Sequence, residues 1–131
     1  MTTRLATCSC GQLRVTCEGE PLRISMCHCL ECQKRTGSIF GVQARWRSDQ
    51  VRVEGRASQW VRTGDSGGVM TSHFCPSCGS TVHWAIDGQP DVVAVAVGAF
   101  ADPSFPSPAF AVYEARKHAW AAAPAGIEHF E

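Results

Sequence analysis

The chain has 131 residues, enough for one domain with a real core and too few for two. Its 12 basic and 12 acidic side chains cancel, which leaves neither the basic face of a nucleic-acid binder nor the basic amphipathic segment of a membrane-surface protein. No apolar run approaches the roughly 20 residues of a spanning helix, and "MTTRLATCSCG" lacks the apolar core of a secretion signal; a soluble, cytoplasmic protein with no nucleic-acid or membrane partner is expected. In chain order, "GQLRVTCEGE" alternates, with Leu13, Val15 and Cys17 on one face and Gln12, Arg14 and Thr16 on the other, which predicts a half-buried strand. "SIFGVQARW", "QVRVEG", "ASQWVRTG", "VMTSHF", "STVHWAI" and "DVVAVAVGAF" read as further short strands. Breaks fall at Ser48-Asp49, Glu54-Gly55, "GDSGG", "DGQP" and "ADPSFPSP", and Gly55 between two alternating runs predicts a hairpin. Helical signal is confined to one turn after "CHCLEC" and to "YEARKHAWAA", which reads as a short helix or a closing strand. The class is all-β, a single domain over residues 1–131.

Eight cysteines in such a chain point away from disulfides and toward metal or redox chemistry. Cys17 belongs to the apolar face of its strand; the other seven fall in "CSCG", "CHCLEC" and "CPSCGS". Cys75 and Cys78, followed by Gly79, have the spacing of a zinc knuckle, which supplies half of a tetrahedron. Cys8 and Cys10 are the natural other half, because a C-x-C pair closes on itself only as a strained disulfide. Such a four-thiolate site is structural. Cys27, Cys29 and Cys32 then remain as a trio with an open fourth position, the arrangement that separates catalytic from structural zinc. His28 lies between two of them, but neighbours in extended chain point to opposite sides, so it is expected to face away from the metal, toward its surroundings or a substrate. The alternative is a second structural zinc completed by His28, His73 or His83.

"CSCGQLRV", "CHCLECQKRTGS" and "FCPSCGSTVHW", in this order and at these separations, resemble the glutathione-dependent formaldehyde-activating enzyme family, which includes centromere protein V-like proteins. "VAVGAFADP" and "EARKHAW" extend the resemblance, which runs from Cys8 to about Trp120, while His73 stands where family members commonly carry arginine. The resemblance implies small coiled β-sheets stapled by zinc. It also implies two zinc ions per chain, a structural one on Cys8, Cys10, Cys75 and Cys78 and a more labile, catalytic one on Cys27, Cys29 and Cys32. The implied reaction joins glutathione and formaldehyde to S-hydroxymethylglutathione, a carbon–sulfur lyase reaction run in reverse.

A thiolate is the nucleophile toward a carbonyl, and zinc with an open position favours it over the thiol. An anionic tripeptide or similar thiol–aldehyde adduct calls for cations, of which Lys34 and Arg35 are nearest in sequence and Arg45 and Arg62 more distant candidates. His73 and His83 are expected on one sheet face near the second metal, with either able to serve as general acid. Trp46, Trp60, Trp84 and Trp120 are expected in the core or a pocket wall. Two rivals remain: a non-catalytic zinc-stabilised protein-binding module of the same fold, and a redox enzyme like type B methionine sulfoxide reductase. The latter is disfavoured by the C-x-C first cluster and the lack of an isolated catalytic cysteine. Oligomeric state leaves no mark in the sequence.

Overall fold

Alternating residues build two sheets from eleven strands among the described residues. The computed structural model describes residues 2–64 and 66–131; Met1 and Asp65 lie outside the described residues, so the break at 64–68 is described on either side of Asp65. The chain runs β1 (Thr3–Thr7), β2 (Arg14–Glu18), β3 (Arg23–Cys27), α1 (Leu30–Thr36), β4 (Gly41–Arg47), β5 (Val51–Glu54) and β6 (Ser58–Thr63). It continues through β7 (Val69–Phe74), β8 (Thr81–Ile86), β9 (Gln89–Ala96), β10 (Phe110–Val112) and β11 (Glu128–His129). The first two strands pair with β5 in a three-stranded sheet of order β1-β2-β5; the others form an eight-stranded sheet of order β11-β10-β3-β4-β9-β8-β7-β6. The chain is mostly β, as the alternation predicts. Among the described residues no helix is long and apolar enough to cross a membrane.

Residues directly opposite one another in paired strands share a face, and the register divides the large sheet into two faces of different chemistry. Ile24 lies opposite Ala44, Ala44 opposite Val95 and Trp46 opposite Val93. This apolar face packs on Ala6, Leu13, Val15 and Cys17 of the small sheet and its flanking chain, and the resulting core holds Trp46 fully buried. The indole N–H of Trp46 donates to Gly19 O at 3.0 Å, so its burial leaves no unpaired donor. The opposite face carries Cys27, Gln43, Arg45, Trp84 and Ser72, whose registers follow one another across β3, β4, β9, β8 and β7. Core and candidate chemistry are thus two sides of one sheet.

Three expectations are corrected. Gly55 makes no hairpin: β5 pairs with β2, and β6 pairs with β7 in the other sheet. The chain changes sheets there because Gln12 clasps it, donating from Nε2 to Arg56 O at 2.7 Å and accepting Arg56 N–H on Oε1 at 2.9 Å. "YEARKHAWAA" is neither helix nor strand but a 3-10 turn over Glu114–Arg116 followed by further turns. The helical signal after "CHCLEC" becomes a seven-residue helix, α1, which already starts at Leu30 within that cluster and is longer than the single turn expected. Strands β1, β3, β10 and β11 have no counterpart in the sequence reading; β10 and β11 are only three and two residues long, and from Ile24 to Cys27 every residue of β3 is buried, so it shows no alternation.

Candidate functional site

Cys8, Cys10, Cys75 and Cys78 bring their sulfurs within 4.8 Å of one another. The Cys8–Cys10 and Cys10–Cys75 sulfurs stand 3.6 Å apart. Zinc–sulfur bonds of about 2.3 Å in a tetrahedron require sulfur separations of about 3.8 Å, so the donor set fits zinc. Backbone N–H groups already aim at these sulfurs as they would at thiolates: Leu13 N donates to Cys8 Sγ at 3.3 Å and Ser77 N to Cys75 Sγ at 3.4 Å. The amide of Gln12 adds a donor to Cys75 Sγ at 3.0 Å and draws that thiol down to about 7. The Ser80 backbone N–H and hydroxyl draw Cys78 down to about 5. The turn holding the second pair is closed by Gly79 N to Cys75 O at 2.8 Å and Cys75 N to Ser80 O at 3.0 Å.

Cys27 ends β3, Cys29 caps α1 and Cys32 sits in its first turn. All three are buried, and their sulfurs also lie within 4.8 Å of one another. Among the described residues no fourth histidine, cysteine, aspartate or glutamate joins this trio. Charge in it is shared. Hydrogen bonds from the Cys27 and Cys29 thiols pull Cys32 toward the thiolate, helped by the Arg35 and Arg62 guanidiniums, while the same sulfur contacts and burial push Cys27 up.

The trio forms one wall of a cavity of about 210 Å³, completed by Arg45, Arg62, Met70, Ile86, Val112 and Tyr113. Gly64, Ser66 and Gly68 of the β6–β7 connection line it as well, and the hydroxyls of Ser66 and Tyr113 touch. Tyr113 is left-handed at φ 55°, a rare conformation for a residue with a side chain. Arg45 Nε and Arg62 Nε and Nη1 are buried without hydrogen-bond partners, and burial pulls the Arg45 pKa down. A second cavity of about 630 Å³ is lined by Glu31, Lys34 and Arg35 of α1 and by Trp60, Arg62 and Phe74 of β6 and β7. Arg62 belongs to both. The Arg35 guanidinium lies 4.3 Å from the centre of the Trp84 ring, which fixes it on the sheet.

A family model described as "Glutathione-dependent formaldehyde-activating enzyme" matches residues 3–116. The chain belongs to this family. A crystal structure of a Rhodobacter sphaeroides protein is similar in fold, with a TM-score of 0.55 at 24% identity, covering 72% of this chain and 85% of that one. No curated protein matches the chain.

Within this family member, the two sulfur groups have the membership that the sequence spacing predicts. His28 does not join the trio: its ring is fully buried, 5.9 Å from that of Phe40, and lines neither cavity. Extended geometry turns it away from its neighbours' sulfurs, and it meets the fold's interior rather than a substrate cavity. Lys34 and Arg35 line the larger cavity, whereas Arg45 and Arg62 reach the trio itself. His73 and His83 face each other across β7 and β8 with rings stacked at 4.4 Å. Met70, Ser72 and Phe74 line the cavities, so alternation turns His73 to the sheet's other side, and the expected general acid near the second metal is not there. Of the tryptophans, Trp46 is core and Trp84 is buried under Arg35, Trp60 lines the larger cavity, and Trp120 is a surface residue beside His118. Gln43, Met70, Ile86 and Tyr113 are absent from the sequence reading; counting by twos from Arg45 along β4 finds Gln43, whereas counting from His73 and His83 leads to the wrong face of β7 and β8, and nothing local marks Tyr113.

Proposed function

We propose that this chain adds a thiol to an aldehyde at the Cys27–Cys29–Cys32 trio, in the manner of the S-hydroxymethylglutathione-forming reaction for which its family is named. The observation that carries the reading is the asymmetry between the two sulfur groups: four ligands close one, while three line a cavity shared with two arginines that carry buried, unpartnered N–H groups. When bound by the trio, zinc supplies an open position that favours the ionised form of an incoming thiol. Three thiolates leave such a site with an excess negative charge, which Arg45 and Arg62 offset across a poorly solvated space.

The residues divide the remaining work. The unpaired N–H groups of Arg45 and Arg62, on two residues that line the cavity, are the donors available to the carbonyl oxygen as it gains charge when sulfur attacks carbon. Lys34, Arg35 and Arg62 provide cations for the carboxylates of a glutathione-like thiol lying in the larger cavity, and Trp60 gives its chain an apolar floor. Arg62, common to both cavities, orients the thiol's tail and its reacting end together.

The test is exchange NMR of the glutathione–formaldehyde adduct with the zinc-loaded protein. Acceleration over the uncatalysed exchange, lost in Cys29→Ser while the fold is kept, supports an enzyme. Equal exchange rates with and without the protein overturn the reading in favour of an architectural module.

A further inference from the structure

The cavity at the trio is larger and more apolar than formaldehyde requires. At about 30 Å³ for each water-sized group, its volume of about 210 Å³ has room for about seven such groups. A formaldehyde adduct places three there: sulfur, carbon and oxygen. The thiol's tail leaves past Arg62 toward the larger cavity, so it does not fill the rest. The unused wall is built from side chains that share one sheet face. Met70 and Ile86 stand directly opposite each other on β7 and β8, and Val112 lies beside Cys27 in the β10–β3 pair. These three side chains offer no polar group to an aldehyde hydrogen. A one-carbon substrate leaves this apolar wall without an apolar partner.

We infer that the Met70–Ile86–Val112 wall selects adducts of unbranched alkyl aldehydes of up to about five carbons over that of formaldehyde, four groups beyond the three already placed. The inference rests on the reading of the trio cavity as the place of thiol–aldehyde addition. The chemistry is the same and balances without a further reactant. The sulfur–carbon bond forms, the carbonyl π pair moves to oxygen, and the thiol proton ends on that oxygen. Nothing is oxidised or reduced. Each methylene laid on the wall leaves water for an apolar surface and is expected to improve adduct recognition about fourfold.

The experiment uses the zinc-loaded full chain, glutathione as the thiol, and a series of aldehydes from methanal to hexanal followed by exchange NMR. The expected result is a catalysed kcat/KM that climbs about fourfold per methylene to pentanal and then falls. S-alkyl glutathiones, from methyl to pentyl, give a readout without turnover: their Kd by calorimetry is expected to tighten by the same factor per carbon. Met70→Phe fills the wall and is expected to cut the pentanal-to-methanal ratio at least tenfold. A flat or falling chain-length profile, or a ratio that Met70→Phe leaves unchanged, overturns the inference while methanal exchange still supports the underlying reading. No acceleration with any aldehyde overturns both. Should Met70→Phe fail to fold, the two wild-type series decide the matter.

Discussion

The Sγ of Cys29 accepts the backbone N–H of Cys32 at 3.3 Å, so one sulfur both caps α1 and belongs to the trio. Capping and metal binding need the same species, an electron-rich sulfur aimed at a helix N-terminus. Cys29→Ala removes the cap at a cost of about 1 kcal/mol and leaves two sulfurs, too few to retain a metal. The core lies on the other face of the sheet and is untouched. The variant is expected to fold with about one zinc fewer per chain. Cys78→Ala breaks the group that ties residues 8–10 to 75–78 across the sequence, and is expected to unfold. Metal analysis with circular dichroism on both variants checks this. Equal collapse in the two contradicts the division between a structural quartet and an open trio.

Arg62 supports a second prediction, because it faces the trio and the larger cavity at once. In Arg62→Gln the charge that helps hold Cys32 ionised is lost, together with buried N–H groups that have no partner in the fold. Removal of one such donor lowers kcat by about 10²-fold in other preorganised sites, and a loss of that order in catalysed exchange is expected here. Arg62→Lys is expected to recover little, since one ammonium cannot present separate N–H groups to two cavities. Full recovery with lysine would show that only charge matters.

His83 predicts a pH effect on stability. Burial, with a smaller contribution from the His73 charge, pushes its pKa down to about 4 from an ordinary 6.5. Below pH 6.5 the unfolded chain therefore takes up a proton that the folded chain refuses, and stability falls as pH drops toward 4. At 1.36 kcal/mol per unit the loss is about 3 kcal/mol. Thiolate protonation weakens metal binding over the same range, so the measurement is a difference: thermal unfolding of wild type and His83→Gln from pH 7.5 to 4. The wild-type curve is expected to drop more steeply by several degrees, and parallel curves would remove His83 as the cause.

How much of this was legible in the sequence depended on distance along the chain. The trio lies within six residues and the knuckle within four, so spacing alone grouped them. The quartet needed only the argument that each half-site requires another. Strand β3 escaped because its residues from Ile24 on are covered on both faces, by the core and by the site, which erases alternation. The cavity's other walls come from β4, β6, β7, β8 and the segment at 112–113, and only the pairing registers bring them to Cys27. His73 shows what alternation alone leaves open: it divides β7 into two sets, His73 with Thr71 and Met70 with Ser72, and only the register that sets His83 opposite Val95 assigns His73 to the core side.

Gly55 gives the most direct test of the sheet change. It holds φ at +99°, and an added Cβ would lie 2.1 Å from the carbonyl oxygen of Gln12. That neighbour is backbone, and it cannot swing aside without loosening the amide clasp on Arg56. Gly55→Ala therefore combines left-handed strain with a clash and is expected to cost about 3 kcal/mol. Movement of Gln12 also withdraws its amide from Cys75 Sγ, 3.0 Å away, so the damage reaches the quartet. The expected signature is a Tm lower by about 10 °C together with faster zinc release to a chelator from the quartet. Gly67→Ala is the control, since it has a similar φ of +89° but meets nothing within 4 Å; it is expected to carry the strain alone and to leave metal release unchanged.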